Sequence, residues 1–152
     1  MAKAEMGYLG HYNKHKVSPF QRFEVGGDGM SGYTMYGVDI IGLRGYEDGA
    51  LDPRGSNYSV AYNKYTMELR YPVVQKDQSQ IFVLGFLEGG SGFNSWKEFS
   101  PFKIKRSAGL GVRLYLPVVG LIGIDWGWGF DAPMGSLKPS GSHFHFTMGQ
   151  SF

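Results

Sequence analysis

Apolar and polar residues alternate along much of this chain, and the alternation has a period of two. It is strictest over residues 107–116, 122–131 and 143–152, where nearly every second residue is apolar. A period of two is typical of β-strands that present one apolar face. Weaker alternation, or a short apolar run, predicts four further strands. They lie at residues 3–12, 20–25, 62–71 and 81–87.

The segments between the predicted strands are alternately long and short. In chain order they cover residues 26–59, 72–79, 89–101, 117–120 and 132–141. Such an asymmetry predicts antiparallel up-and-down strands with tight turns at one end and loops at the other, as in outer-membrane barrels. Seven strands are awkward for closure because the first and last would meet in parallel. An eighth strand at residues 33–43 is therefore an alternative.

In the three segments with strict alternation, the residues at the polar positions are mostly small. Their size indicates which face of each strand meets water and which meets lipid. Gly, Ser, Thr and His predominate there and suit a wide hydrated lumen. The apolar positions then face hydrocarbon, where only a closed barrel leaves no backbone group unpaired. A soluble lipocalin-like barrel with these residues as its core is the alternative. The outward set comprises Leu110, Val112, Leu114, Ile122, Ile124, Trp126, Trp128, Phe144, Phe146, Met148 and Phe152.

Composition narrows the class further. The 152 residues include 24 glycines, 16% aromatic and 18% charged residues, with a net charge of +2 and no cysteine. No apolar run approaches the roughly 18 residues of a spanning helix, and the aromatic content argues against disorder. The small net charge gives no reason to expect nucleic acid as a partner. The absence of cysteine rules out a disulfide scaffold.

Few residues suggest catalysis or metal binding. His143 and His145 share one strand face, but no carboxylate or third His stands at a ligand spacing, so lumen-facing polar residues are the simpler interpretation. The serines lack a His–Asp arrangement for nucleophilic chemistry. Trp126, Trp128 and Phe130 form a row that an aromatic girdle explains better than a ligand platform. We predict no enzyme activity, no cofactor and no bound metal.

Three motifs, in order along the chain, resemble those of one family. Residues 19–27 (Pro-Phe-Gln-Arg-Phe-Glu-Val-Gly-Gly) resemble a strand that leads into a long loop. Leu43-Arg44-Gly45-Tyr46 in that loop is similar to a (V/I/L)RG(F/Y) signature. On these motifs the chain is identified as a member of the Omp85 superfamily over nearly its whole length. The chain end completes the resemblance as a C-terminal β-signal, with Phe144, Phe146, Met148, Gly149 and Phe152.

Within the superfamily the chain most resembles the BamA branch, and its Gly-rich lead-in is similar to versions from Bacteroidetes-like bacteria. The resemblance implies part of a sixteen-stranded barrel in the outer membrane of Gram-negative bacteria. It also implies a function in the assembly and insertion of other outer-membrane proteins by strand templating. The implied partners are outer-membrane lipid, nascent outer-membrane proteins and, in a full-length protein, assembly-complex lipoproteins. A passive small barrel, either a porin or a structural anchor, is the alternative.

POTRA domains, a signal peptide and the first strands of such a barrel have no counterpart in the sequence. We therefore expect residues 1–152 to be one domain, a C-terminal fragment in which Met1 is an artificial start. The two terminal strands of a fragment have unpaired edges. They could pair with each other in a small barrel, with a second copy of the chain, or with the rest of a larger barrel.

The resemblance also implies a role for Arg44, whose counterpart in the family reaches into the lumen and pairs with acidic side chains. Glu68 and Glu88 occupy the matching places, and periodicity puts Glu68 on the polar face of its strand. A solvated Arg44 in a long loop is the alternative. Residues 81–87 are apolar on both faces, so periodicity alone does not orient that strand. A pair with Glu88 would turn Phe82, Leu84 and Phe86 inward and Ile81, Val83 and Leu87 outward.

Overall fold

The structure, a computed structural model, describes residues 1–9, 22–29, 37–53, 58–76, 79–117 and 120–149. These residues form eight strands and one short 3-10 helix at Trp96–Glu98, which confirms the predicted all-β class. No helix in these ranges is long and apolar enough to cross a membrane. The strands are β1 (Ala2–Tyr8), β2 (Arg22–Val25), β3 (Val38–Ile41), β4 (Ala61–Lys76), β5 (Ser79–Phe93), β6 (Lys105–Leu116), β7 (Gly120–Gly129) and β8 (Gly141–Gly149).

Six strands form one antiparallel sheet in the order β1-β4-β5-β6-β7-β8. From β4 onward each strand pairs with the next along the chain, which confirms the up-and-down prediction. Glu88 of β5, for example, lies opposite Thr66 of β4 and Ser107 of β6. Among the described residues β1 and β8 are not paired with each other. As far as the structure describes the chain, the sheet therefore has two open edges.

The predicted strand at residues 20–25 is wrong as a strand of this sheet. Its described part, β2, pairs in parallel with β3 in a separate two-stranded sheet. The reason is that β1 already occupies the edge of β4 from Ala61 to Met67, so no other strand can pair there. The alternative eighth strand at residues 33–43 is also wrong as a strand of the main sheet. Its described strand, β3, lies outside that sheet. Residues 10–12, 20–21, 33–36 and 150–152 of the predicted strands lie outside the described residues.

Strands β4 and β5 are longer than their alternation predicts, at 16 and 15 residues. The first five residues of the predicted connection at residues 89–101 are therefore strand, although their Gly-rich sequence has low β-propensity. Close packing against these glycines explains their presence. A Cβ at Gly90 would lie 2.6 Å from the backbone oxygen of Asn63, and one at Gly92 would lie 2.9 Å from that of Leu51.

Alternate residues of the main sheet point to two faces, here called the outer face and the inner face. The described apolar side chains predicted to point outward lie on the outer face, where most of them are exposed. The lipocalin-like alternative is wrong, because it requires these side chains in a core. Strand β5 has the orientation that a pair with Glu88 requires. Leu84 and Phe86 are buried on the inner face, whereas Val83 and Leu87 are exposed.

The apolar core lies between the inner face and the chain that joins β1 to β4. We call its described part, residues 22–29, 37–53 and 58–60, the plug. Its buried side chains are Phe23, Val25, Leu43, Tyr46 and Leu51. Backbone hydrogen bonds tie the plug together and to the sheet: Leu51 N–H donates to Val25 O (3.1 Å) and Gly92 N–H donates to Leu51 O (3.2 Å).

The connections divide between the two ends of the sheet. Only residues 77–78 separate β4 from β5, and only residues 117–119 separate β6 from β7, so this is the turn end. The plug, residues 94–104 and residues 130–140 lie at the opposite loop end. This division confirms the asymmetry predicted from the segment lengths.

Candidate functional site

Arg44 stands on a tight turn of the plug, where the chain is held against the inner face of the sheet. The residues on either side of it fix the turn. Leu43 is fully buried and forms a β-bridge with Gly27, and Tyr46 is also fully buried. Gly45 has a φ of 91°, a left-handed conformation that favours glycine. The local sequence therefore presents one long charged side chain to the sheet.

The Arg44 guanidinium forms hydrogen-bonded ion pairs with the two glutamates that the resemblance implies. Nε and Nη2 donate to Glu88 Oε1 at 3.1 and 2.7 Å, and Nη2 donates to Glu68 Oε2 at 3.1 Å. The backbone N–H of Arg44 also donates to Glu88 Oε2 at 2.9 Å. One guanidinium thus joins β4 to β5, which its planar set of five donors allows.

A third carboxylate, Asp125 of β7, completes the ion-pair network. Arg44 Nη1 donates to Asp125 Oδ2 at 3.4 Å. Arg113 of β6 binds the same carboxylate with two hydrogen bonds, Nη1 to Oδ1 at 2.7 Å and Nη2 to Oδ2 at 2.6 Å. Arg70 donates to Glu68 at 2.5 Å. Three arginines therefore balance three carboxylates on the inner face, which satisfies charges that burial would otherwise make costly.

The ion-pair network is shielded from solvent except at Arg70, whose side chain is 43% exposed. The Arg44 side chain is 11% exposed and that of Asp125 is 0% exposed. The Arg44 Cζ atom lies 3.7 Å from the ring centroid of Phe86, so an aromatic face covers one side of the guanidinium. Burial by itself lowers the pKa of Arg44, but Glu88, Asp125 and Glu68 together raise that pKa above its ordinary value. The guanidinium therefore stays charged.

Gly45 contacts the same inner face, at strands β7 and β8. Its backbone N–H donates to His145 Nε2 of β8 at 2.9 Å, so Nε2 accepts and the ring proton lies on Nδ1. A Cβ at Gly127 would lie 2.7 Å from the nitrogen of Gly45, and one at Gly129 would lie 2.4 Å from its oxygen. Gly127 and Gly129 of β7 thus form a flat surface against which the turn packs, and we call this surface the seat. The prediction that the small inner residues line a wide hydrated lumen is wrong at this end, because the plug covers them.

Tyr46 joins the plug to β6 and to the segment after β7. Its hydroxyl donates to the backbone oxygen of Arg106 at 2.8 Å and accepts from the N–H of Asp131 at 3.4 Å. Burial raises the pKa of Tyr46 to about 12, so the hydroxyl keeps its proton. Residues 44–46 together contact β4, β5, β6, β7 and β8. We call this set of contacts the clamp.

The sequence did not predict Phe86, Asp125 and His145 as partners of the plug. It also did not predict Arg113, which binds Asp125. Two of these four residues carry a signal that could have been used. Arg113 and Asp125 are charged residues on the inward faces of β6 and β7, where most of their neighbours along the same face of the strand are glycines, and a charge at such a position requires a partner of opposite charge.

The two histidines of β8 bind groups of the protein itself. Their ring centroids are 6.3 Å apart, Nε2 of His145 is taken by Gly45, and Nε2 of His143 lies 2.9 Å from Ser140 Oγ. No group of three or more His, Cys, Asp or Glu side chains is placed to hold a metal within the described ranges. The contacts of the clamp have a structural role, because they hold the plug against the sheet. None of the clamp residues is arranged as a nucleophile.

The proposed β-signal lies on the open strand β8. Phe144, Phe146 and Met148 are exposed on the outer face, and Gly149 pairs with Leu121 of β7. Phe152 lies outside the described residues. This placement makes the signal residues part of a sheet edge.

An antiparallel sheet with an apolar outer face, and a loop clamped to its inner face by a buried Arg, defines the wall of an outer-membrane β-barrel. The Omp85 superfamily domain matches residues 1–152, so the chain belongs to the Omp85 superfamily. Proteins of this superfamily belong to the bacterial outer membrane and insert or transport proteins there. No curated protein matches the sequence closely enough to be reported as a relative.

Proposed function

We propose that this chain forms part of the barrel wall of a BamA-like factor that assembles other outer-membrane proteins. It acts without bond chemistry or a cofactor. An incoming strand adds to an open edge of the sheet through main-chain hydrogen bonds, which is the β-augmentation mode of recognition. In this proposal the client is a nascent outer-membrane protein, and lipoproteins of the assembly complex act on the full-length factor.

The observation that carries the proposal is the clamp at a sheet with two open edges. Arg44 bonds to Glu68, Glu88 and Asp125, Gly45 bonds to His145, and Tyr46 bonds to the backbone of β6. A closed barrel holds its curvature through its complete ring of strand pairs, whereas an open sheet needs another constraint. The clamp supplies that constraint from inside and leaves the edge strand β8 free to pair.

A passive small barrel is the second candidate, and the two open edges distinguish it. A passive barrel would use β1 and β8 to close on each other. Met6 on β1 and Phe146 on β8 are both exposed on the outer face. Quantitative disulfide formation within one molecule between cysteines at these two positions would favour the passive barrel and contradict strand templating.

Cysteine crosslinking to a client tests the proposal, and the natural chain contributes no competing thiol. A cysteine at Phe146 of β8 is combined with a client peptide that ends in an aromatic β-signal and carries a cysteine at one of several successive positions. We expect crosslinks at alternate peptide positions, because neighbouring strands place every second side chain on the same face. A cysteine at Val112 is the control, since β6 already has a partner on each side. Equal crosslinking at both sites would contradict the proposal.

A further inference from the structure

Residues 94–104, between β5 and β6, fold onto the outer face of the sheet, and we call them the ledge. Two outer-face residues of β4 hold the ledge by its backbone. Asn63 Nδ2 donates to Ser100 O at 2.9 Å, and the Tyr65 hydroxyl donates to Pro101 O at 3.1 Å. A Cβ at Gly89, also on the outer face, would lie 3.2 Å from Ile104. The ledge therefore covers the loop end of the wall from outside.

The ledge accounts for polar residues at outer-face positions. Asn63 and Ser91 lie on the same face as the exposed Met67 and Leu87, yet both are fully buried. Phe93 is buried as well, and its ring packs edge-on against Phe99 of the ledge with centroids 5.3 Å apart. The ledge separates this polar region from whatever surrounds the barrel.

The ledge has a rigid aromatic surface. Trp96 stacks on Phe99 with centroids 5.1 Å apart and an interplanar angle of 8°, and it also contacts Tyr8 of β1 at 5.1 Å. The next turn presents Phe102, which is 90% exposed. Lys103 N–H donates to Ser100 O at 3.2 Å and closes that turn. Because Trp96 packs against two aromatic rings, its side chain is ordered before any partner binds, so its insertion costs little conformational entropy.

Positive charge surrounds the exposed rings. Lys97 and Lys103 are exposed beside Trp96 and Phe102, and Glu98 is the one acidic residue of the ledge. Neither lysine forms an ion pair with any residue that the structure describes. Rings at the level of the headgroups, with lysines reaching the phosphates, are the side chains that suit the boundary of a membrane.

The ledge is continuous with the outer-face aromatic residues at the loop end. Trp126 and Trp128 lie on the same face, and Trp128 pairs with Ala108 and Ser142, close to that end of β6, β7 and β8. Residues 130–140 differ, since they fold toward the inner face. Met134 N–H donates to Ala50 O of the plug at 2.9 Å, although Leu137 of this segment is 100% exposed.

We propose that the ledge is a binding site for phosphate-bearing anionic lipid at the loop end of the barrel. Trp96 and Phe102 enter the boundary between headgroups and acyl chains, and Lys97 and Lys103 bind the lipid phosphate. The charge of the lysines and the outward position of the rings both fit this occupant. The inference rests on the proposed placement of the outer face in a membrane.

Single-tryptophan variants in lipid bilayers test the proposal. W126F/W128F leaves Trp96 of the ledge as the one reporter, and W96F/W128F leaves Trp126 of the wall. Each variant is reconstituted in phosphatidylcholine with a fraction of brominated lipid, either phosphatidylcholine or phosphatidylglycerol, and quenching is measured. We expect brominated phosphatidylglycerol to quench Trp96 more strongly, with a preference of about fivefold for each lysine that reaches the phosphate. Trp126 should show no preference.

Charge variants give the matched control. K97A/K103A in the Trp96 reporter should reduce the preference to that of Trp126, whereas K138A, in the segment that folds inward, should leave it unchanged. Quenching of Trp96 without any preference for the anionic lipid would overturn the proposal, and so would an equal effect of K138A. Failure of every brominated lipid to quench Trp126 would instead contradict the membrane placement itself, so the two failures are distinguishable.

Discussion

At the scale of single residues, the geometry of the Arg44 guanidinium matters as much as its charge. Its nitrogens reach three carboxylates on three strands, with Nη2 shared between Glu68 and Glu88. A lysine ammonium at the same place is a point charge and cannot match this planar arrangement. The clamp therefore depends on Arg specifically.

We predict that R44K will destabilise the protein although it conserves the charge. The expected loss is about 1.5–3 kcal/mol of the free energy of unfolding, because charge-assisted hydrogen bonds are lost in a shielded site. R44A should lose about 3–5 kcal/mol, because it leaves buried carboxylates unpaired. Urea unfolding in detergent micelles measures both values. R106K is the control, since Arg106 forms its ion pair with Asp131 at the surface, and an equally large loss there would contradict the prediction.

Asp52 is a second residue whose environment determines its charge. Its Oδ1 accepts from Val25 N–H at 3.2 Å and from Ser59 Oγ at 2.5 Å, while Oδ2 is buried and has no partner within the described residues. Burial first, and then the nearby Glu24, raise the pKa of Asp52 to about 7, although the two hydrogen bonds oppose this. The pKa of Glu24 is itself raised, by burial first and then by Asp48. At low pH the plug thus contains a neutral carboxyl group.

We predict that Asp52 contributes more to the stability of the plug near pH 4 than near pH 8. The native state binds more protons than the unfolded state between the ordinary pKa of Asp52, 3.8, and its folded value of about 7. Stability therefore falls across this window and levels off above it. The full difference between these two pKa values corresponds to about 4 kcal/mol. D52N, which stays neutral, should remove most of this dependence in urea unfolding at pH 4 to 8, and an unchanged slope would contradict the assignment.

At the scale of elements, the inner glycines of β7 decide how closely the plug approaches the sheet. The backbone of residues 44–45 lies against Gly127, where a Cβ would come within 2.7 Å of the Gly45 nitrogen. Backbone atoms cannot move aside as the end of a flexible side chain can. The strand and the turn must therefore separate if a side chain is added.

We predict that G127A will displace the turn and weaken the clamp. The expected loss is about 1–3 kcal/mol, the usual cost of overpacking a well-packed site. Limited proteolysis of the plug should become faster as well, because Arg44 no longer reaches Asp125. G85A in β5 is the control, since a Cβ there would meet Leu110 at an ordinary 3.7 Å. An equal response of the two variants would show that the effect is not due to the seat.

At the scale of the whole molecule, the chain reverses the usual arrangement of a soluble protein. Its core lies between the plug and the inner face, and the outer face carries exposed apolar side chains on every strand from β4 to β8. Such a continuous apolar surface is unfavourable in water and favourable in hydrocarbon. The protein therefore requires lipid or detergent around it.

We predict that V112R will destabilise the protein in a bilayer. Val112 lies near the middle of β6 and pairs with outer-face residues of β5 and β7. An Arg at the middle of the bilayer costs about 2–4 kcal/mol, which urea unfolding from phosphatidylcholine vesicles measures. The same substitution at Leu137, which is fully exposed on the segment that folds inward, should have little effect. A greater loss for L137R than for V112R would contradict the assignment of the faces.

Periodicity by itself determined the strand class, the faces of β6, β7 and β8, and the inward position of Glu68. This was possible because side-chain direction in a strand is a local property with a strict period of two. The segment lengths determined the loop end and the turn end for a similar reason, since an antiparallel neighbour needs only a short connection.

Only the tertiary structure decided which distant residues meet. Whether residues 20–25 join the wall depended on β1 occupying the edge of β4. The partners Asp125 and His145 depended on where the plug places Arg44 and Gly45. The ledge also lies on the outer face because Asn63 and Tyr65 hold its backbone there. No local pattern encodes these outcomes, because each results from competition among chain segments for the same edge, seat or surface.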